Sequence, residues 1–403
     1  MDLLKEHSNV EQAEKRVQVI MTTHSPSLVS TARIEDMTLV HKAQTFPLAA
    51  GKTKLKRTDY SFLRRFIDAT KANLFFARGV MMVEGPAEAI LVPAIAEMCG
   101  RSFSKHGVSM VNVGHTGLYH YARILQREGT GPEIPIPVVC LTDRDIVPNI
   151  AKTYVAKPAK GKRFDSDYSA PEMAAAVQKK KERAEGGKTI VCVSDCWTLE
   201  FDLALHGCAK LMYVAISLAA KAKSRDERLE DADETATLAE AELSWTSLEC
   251  AGHTKEELAA IIYKPLQEKD ASKAIAAQYA AHLVCTGKYG TGEDLFKALP
   301  PYLQAALSHL TIAPAAKPAA TAGPGVAVPT ALTVPGSAAS VPSSTQPPVP
   351  TAFPTVTSDI PTVATPQGSV VANAQAHGQA GTTSAAAIVP PTASAGGKQG
   401  NGT

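Results

Sequence analysis

Between Asn73 and Asp145, short apolar runs alternate with stretches in which apolar residues recur at three- and four-residue intervals. Leu74 to Val83, Val108 to Val113 and Ile136 to Leu141 are continuous enough to predict buried strands. Between the first two, Pro86 to Cys99 carries Ala87, Ile90, Leu91, Ile95 and Met98 on one helical stripe. Between the second and third, a Gly-rich turn with Gly114 and Gly117 leads into a helix from Leu118 to Gln126. This alternation predicts an α/β fold with a doubly wound parallel sheet.

Downstream the spacing is helical: Cys208 to Lys223, Thr235 to Leu248, Thr254 to Leu266, Ala271 to Leu283 and Gly292 to Leu299 predict a helical C-terminal block. Pro171 to Ala184 reads as one more helix, closed by Gly186 and Gly187. Upstream, Val17 to Thr22 and Met37 to Val40 read as strands, joined by a loop at Thr23 that opens a short helix. Two strands and one helix bury too little to stand alone, so this incomplete-looking start is expected to complete something larger or to pack on the domain C-terminal to it.

Composition shortens the folded part. Residues 312 to 403 are mostly Pro, Ala, Thr, Ser, Val and Gly, with Lys317, Asp359 and Lys398 the charged residues and Phe353 the sole aromatic. So little apolar surface cannot offset the entropy of ordering, which predicts a disordered Pro/Ala-rich tail. A net charge of +2 decides nothing about partners. Seven cysteines with no secretory signal and no apolar run of transmembrane length point to a reducing, cytoplasmic setting and no membrane partner. Cys192, Cys196 and Cys208 lack zinc-knuckle spacing and read as reduced core thiols.

The chemistry lies in acidic strings at strand ends. Val83-Glu84-Gly85-Pro86-Ala87-Glu88 follows the first strand, and Leu141-Thr142-Asp143-Arg144-Asp145 ends the third. Ligands of open parallel sheets bind at strand C-termini. Glu84 and Glu88, one helical turn apart, can face one point. Asp143 and Asp145, two apart in extended chain, would project to one side, with Arg144 pointing away into an ion pair. Four crowded carboxylates repel unless cations sit among them, so Mg²⁺ or Mn²⁺ is the expected cofactor, as two ions ~4 Å apart.

A Glu-Gly pair after the first strand, a Gly-rich turn after the second and Asp-x-Asp after the third resemble the TOPRIM module of topoisomerases, primases and several nucleases. With the upstream Thr23-His24-Ser25-Pro26, the pattern is similar, over about residues 15 to 305, to the overcoming-lysogenization-defect (OLD) family of ATP-dependent endonucleases. The resemblance implies four parts. Residues 1–55 would be a remnant of an ABC-type ATPase head, with His24 as the nucleotide-switch residue. Residues 70–205 would be the TOPRIM nuclease domain, 206–311 a helical subdomain completing its site, and 312–403 the tail. It also implies that Glu84, Asp143 and Asp145 hold one metal while Glu88 and Glu200 serve the second. Thr198 and Asp202 would lend support from the segment Trp197 to Leu203, whose period-two alternation reads as a strand. Lys288, in the Gly-flanked Thr286-Gly287-Lys288-Tyr289-Gly290, would neutralise phosphate charge in the transition state.

Each assignment has a plainer alternative. His24 also fits a helix-start loop residue, Lys288 a surface lysine in a helix connection, and Trp197 to Leu203 an ordinary half-buried strand. No phosphate loop accompanies His24: Gly51-Lys52-Thr53 needs a glycine where Phe46 stands, and Gly287-Lys288 is followed by Tyr289. No self-sufficient ATPase is therefore expected. Lys160, Lys162 and Arg163, then Lys179, Lys180 and Lys181, are candidates for contacts to a DNA backbone, although a solvated helix face is the commoner explanation for the second group. The expectation is a metal-dependent DNA endonuclease or nickase, acting as a homodimer, with an ATPase-bearing protein as a further partner. The alternatives are a non-catalytic module that docks onto a complete ATPase, and a primase-like nucleotidyl transferase.

Overall fold

The computed structural model describes residues 19–114, 117–155, 163–226 and 228–311. By contacts, Met1–Thr321 forms one unit and Ala322–Thr403 a second. The second unit, with the whole expected tail 312–403, lies outside the described residues, as do Lys160 and Lys162.

In chain order, helix α1 (Pro26–Thr31) precedes a hairpin of β1 (Thr38–His41) and β2 (Gln44–Pro47), and α2 (Arg57–Phe66) follows. Then come β3 (Gly79–Val83), α3 (Pro86–Met98), the short α4 (Phe103–His106), β4 (Val108–Asn112), α5 (Leu118–Ile124) and β5 (Val138–Thr142). Helix α6 (Ala170–Glu182), β6 (Thr189–Val193) and α7 (Leu199–Leu205) lead into the helical block. That block comprises α8 (Ala209–Lys223), α9 (Asp231–Glu249), α10 (Lys255–Gln267), α11 (Lys273–Cys285), α12 (Gly292–Ala298) and α13 (Pro301–Leu310).

The sheet has the order β4-β3-β5-β6, with each neighbouring pair parallel. Every residue of β3 is buried, as expected where helices cover both faces. Its alternation sorts the core: Met81 and Val83 face one apolar cluster, Val80 and Met82 the other. Val139 and Leu141 of β5 join the first cluster, Val138 and Cys140 the second. Burying each such side chain contributes roughly 1.5–3 kcal/mol. The first cluster takes in α3 and the helical block, so sheet and block share one core. The second takes in α5 and the N-terminal residues Val29, Ile34, Phe46 and Leu48. The N-terminal segment thus packs on the sheet domain, as its small size requires.

This wiring locates a crevice. From β3 the chain crosses through α3 to β4 on one side, then through α5 to β5 on the other, with the two helices on opposite faces. The strand order reverses between β3 and β5, and such a switch point opens a cleft beyond the strand C-termini. Glu84 follows β3 there and Asp143 follows β5.

Several elements differ from the sequence expectation. Val19 to Thr22 is not a strand: Val19, Ile20 and Met21 are exposed, and no neighbouring strand among the described residues supplies a ladder. The segment containing Thr198, Glu200 and Asp202 is not a strand either. It is α7, with Thr198 at its N-cap accepting from the Phe201 amide. Residues Leu199 to Ala204 are buried whether apolar or polar, so alternation there did not report a sheet with one wet face. Strands β2 and β6 and helix α13 were not foreseen at all.

Candidate functional site

Glu84 ends β3 and Gly85 turns the chain into α3, whose first residue is Pro86. A Cβ on Gly85 would lie 3.0 Å from Glu88 Oε2, so the missing side chain lets the Glu88 carboxylate fold back toward the strand end. Thr142, the last residue of β5, donates its hydroxyl to Glu84 Oε1 at 2.5 Å, which ties the two acidic strings together. One residue on, Asp143 Oδ1 accepts the Leu199 amide at 3.1 Å. That contact docks the start of α7 on the β5 end and brings in Glu200.

Glu200 is 2 % exposed. Its Oε2 lies 2.9 Å from Lys273 Nζ, and the same ammonium is 4.0 Å from Asp143 Oδ2. The other Glu200 oxygen, Oε1, is buried with no hydrogen-bond partner among the described residues. Tyr263 of α10 closes this side. Its ring centroid is 5.6 Å from the Lys273 ammonium, and burial pushes its hydroxyl up to about 12.

The electrostatics follow from crowding acids out of water. Burial, then Glu200 and Glu84, raises the Glu88 carboxyl above its ordinary range, with Lys273 opposing. Burial likewise drives Asp143 well above the usual carboxylate range; Glu200, Glu88 and Asp145 add to it, again against Lys273. For Lys273 burial disfavours the charge, but Glu200, Tyr263 and Asp143 outweigh it and hold the ammonium protonated.

Not every expected residue joins the cluster. Asp145 does not project with Asp143. Its φ of 64° breaks the extended chain, its side chain is 70 % exposed, and it accepts from Lys180 of α6 at 2.5 Å. Aspartate is among the residues that tolerate this left-handed turn. Lys180 also donates to the Asp143 carbonyl at 2.6 Å, so the basic helix α6 lies against the acidic loop. Arg144 points away as expected, its guanidinium paired with Asp165 at 2.9 Å. Asp202 turns inward to accept the Cys196 and Trp197 amides, which shapes the loop before α7, and burial pushes it up to about 6. Lys288 pairs with Glu242 of α9. His24 is exposed, its ring 5.9 Å from that of Phe76. The Arg163 amide donates to Asp167, and Lys179 and Lys181 lie on α6 beside Lys180.

Residues 75–145, which carry Glu84, Glu88, Asp143 and Asp145, match the family model described as the overcoming lysogenization defect protein-like TOPRIM domain. They form an OLD-like TOPRIM domain. Among solved structures, the chain is similar to the C-terminal region of the Xanthomonas campestris pv. campestris OLD protein, at 23 % identity over 59 % of this chain and 94 % of that one, with a TM-score of 0.33. It is also similar to the C-terminal region of the Burkholderia pseudomallei OLD protein, at 20 % identity over 58 % and 97 %, with a TM-score of 0.33. No curated protein matches. No helix of the described residues is long and apolar enough to cross a membrane.

TOPRIM domains use divalent metals, and the donors can be tested for fit. Among the described residues, no group of at least three His, Cys, Asp or Glu side chains is already gathered around one ion position. The donors near the strand ends are nevertheless all carboxylate oxygens, as a hard cation requires, and the orphaned Glu200 Oε1 lacks a positive partner. In chemistry the set fits such an ion, and the Lys273 ammonium lies against two of its members, Glu200 and Asp143. Lys273 was the residue sequence reasoning passed over. A lysine as the first residue of a helix runs against the helix dipole, and that local misfit was the available signal.

Proposed function

We propose that this chain is a metal-dependent DNA endonuclease or nickase that hydrolyses phosphodiester bonds at the C-terminal edge of the β3–β5 crevice. The observation that carries the proposal is the convergence of Glu84, Glu88, Asp143 and Glu200, from three separate sequence strings, beyond the β3 and β5 ends, with the Lys273 ammonium against Glu200 and Asp143. In this reading Glu84 and Asp143 would hold one Mg²⁺ or Mn²⁺ and Glu88 and Glu200 would serve a second, while Asp145, turned outward onto Lys180, stays outside this set. Bound there, such ions would supply Lewis acidity and positive charge to the phosphodiester.

The chain's own groups do the rest. The Thr142 hydroxyl fixes the Glu84 carboxylate, and the Leu199 amide fixes Asp143. Glu84 also suits a general acid or base, as in topoisomerase-like relatives. Lys273, rather than Lys288, is placed to supply positive charge to a pentavalent phosphate. Lys179, Lys180, Lys181 and Arg163 suit contacts to the DNA backbone flanking the scissile bond. A second copy of the chain and an ATPase-bearing protein stand as the partners.

Supercoiled plasmid incubated with the full chain and Mg²⁺ or Mn²⁺ tests the proposal. Conversion to nicked circle by the wild type, and its loss in Asp143→Ala, is the expected result. DNA binding without nicking under both metals would favour the non-catalytic docking module instead.

A further inference from the structure

The ammonium at the centre of the site is held by an asymmetric pair. Glu200 is 2 % exposed and belongs to a helix buried along its length, so its carboxylate is fixed. Lys273 keeps 40 % of its side chain exposed, and its stem begins at the first residue of α11. The positive end of the helix dipole disfavours a cation there. Among the described residues, Glu200 at 2.9 Å, Asp143 at 4.0 Å and the Tyr263 ring lie against the ammonium and hold it inward. At the same point Glu200 Oε1 is buried without a hydrogen-bond partner, so one ammonium leaves half of this carboxylate unsatisfied. An unpaired buried carboxylate oxygen is costly, and a doubly charged ion with several coordination sites satisfies more of the cluster than an ammonium does.

We propose that Lys273 is a tethered counter-ion that stands in for a divalent cation at Glu200 and Asp143, and that metal entry requires its ammonium to swing off Glu200 toward solvent. The inference rests on the metal-dependent function proposed for the site and adds a regulation to it. The exchange is of ligands only: no covalent bond forms or breaks, and one charge of +1 leaves the carboxylates as one of +2 arrives. Without metal, Lys273 keeps the acids from driving the strand ends apart. With metal, the released ammonium is free at the mouth of the crevice, where an incoming phosphate is anionic.

The test titrates Mn²⁺ into the full chain and reads heat of binding and thermal unfolding, neither of which depends on cleavage. Wild type is compared with Lys273→Met, and with Lys297→Met as a control for loss of one positive charge on the surface. Lys273→Met should unfold several degrees lower than wild type without metal, bind Mn²⁺ at least tenfold more tightly and gain more thermal stability from it. Lys297→Met should match wild type in all three. If Lys273→Met has no cooperative transition without metal, Mn²⁺ should restore one, and failure to do so overturns the proposal. Unchanged or weaker Mn²⁺ affinity in Lys273→Met overturns the exchange while leaving the metal reading intact. Absence of Mn²⁺ binding to wild type and variant alike overturns both.

Discussion

Two buried carboxylate networks in this molecule are built from the same chemistry and are pushed in opposite directions. Asp59 on α2 is 1 % exposed, and its oxygens take the Lys56 amide at 2.7 Å, His120 Nδ1 at 2.5 Å and Arg123 at 3.3 Å. Burial opposes its charge, but these partners outweigh burial and lower its pKa. At the β3 and β5 ends, Glu88, Asp143 and Glu200 share one ammonium, and burial and mutual repulsion raise Glu88 and Asp143. A carboxylate that is fully partnered is a fastener, here joining α2 to α5. Carboxylates left short of positive charge are poised to take up a cation. Gly117 belongs to the fastener: a Cβ there would stand 2.6 Å from Phe62, whose ring stacks on His120 at 4.2 Å.

The contrast can be broken by experiment. The largest effect is expected at the cation-poor network: Asp143→Asn should lower plasmid nicking by roughly a thousandfold, the several kcal/mol of charge stabilisation a metal supplies, with little loss of fold. Asp59→Ala should do the reverse. By urea unfolding it should cost about 3–4 kcal/mol, because it strands Arg123 and the Lys56 amide, while the nicking rate of the folded protein stays unchanged. A nicking defect in Asp59→Ala comparable to that of Asp143→Asn would erase the distinction.

The two kinds of carboxylate also separate by pH. Asp202, pushed up to about 6 from 3.8, holds a proton in the folded state that the unfolded chain releases. Its contribution to stability therefore falls as pH rises from about 4 to about 6, by about 3 kcal/mol. Asp59, with its pKa lowered, contributes stability above the pKa of the unfolded chain and loses it as pH falls through its folded value. Unfolding free energy measured across this range should decline toward neutrality in wild type and decline less steeply in Asp202→Asn, where Glu88 and Asp143 still contribute. Equal slopes in the two proteins would show that Asp202 does not ionise in that window. The smallest effect is expected at Lys288, 53 % exposed and paired with Glu242 on the surface. Lys288→Ala should change stability by about 0.5 kcal/mol or less and leave nicking unaltered. Loss of nicking there, without loss at Lys273→Ala, would reverse the assignment of the site lysine.

Much of this was written in the order of residues along the chain. The runs at β3, β4 and β5 are buried on both faces, and such strands carry a continuous apolar signal that needs no partner to be seen. Helix α3 likewise announced itself through its stripe and its leading proline. From those alone, Glu84 and Asp143 fall at strand ends on either side of a topological switch. What the sequence could not decide was direction and company. Glu200 sits on a helix rather than a strand because a wholly enclosed segment loses the polar face that gives alternation its meaning, and Thr198 acted as a cap instead of a rung. Asp145 parted from Asp143 through one left-handed residue. Lys273 reaches Glu200 and Asp143 because the packing of α11 against α3 and α8 brings a distant helix start onto the acid cluster, a juxtaposition set by the tertiary fold and by no local pattern.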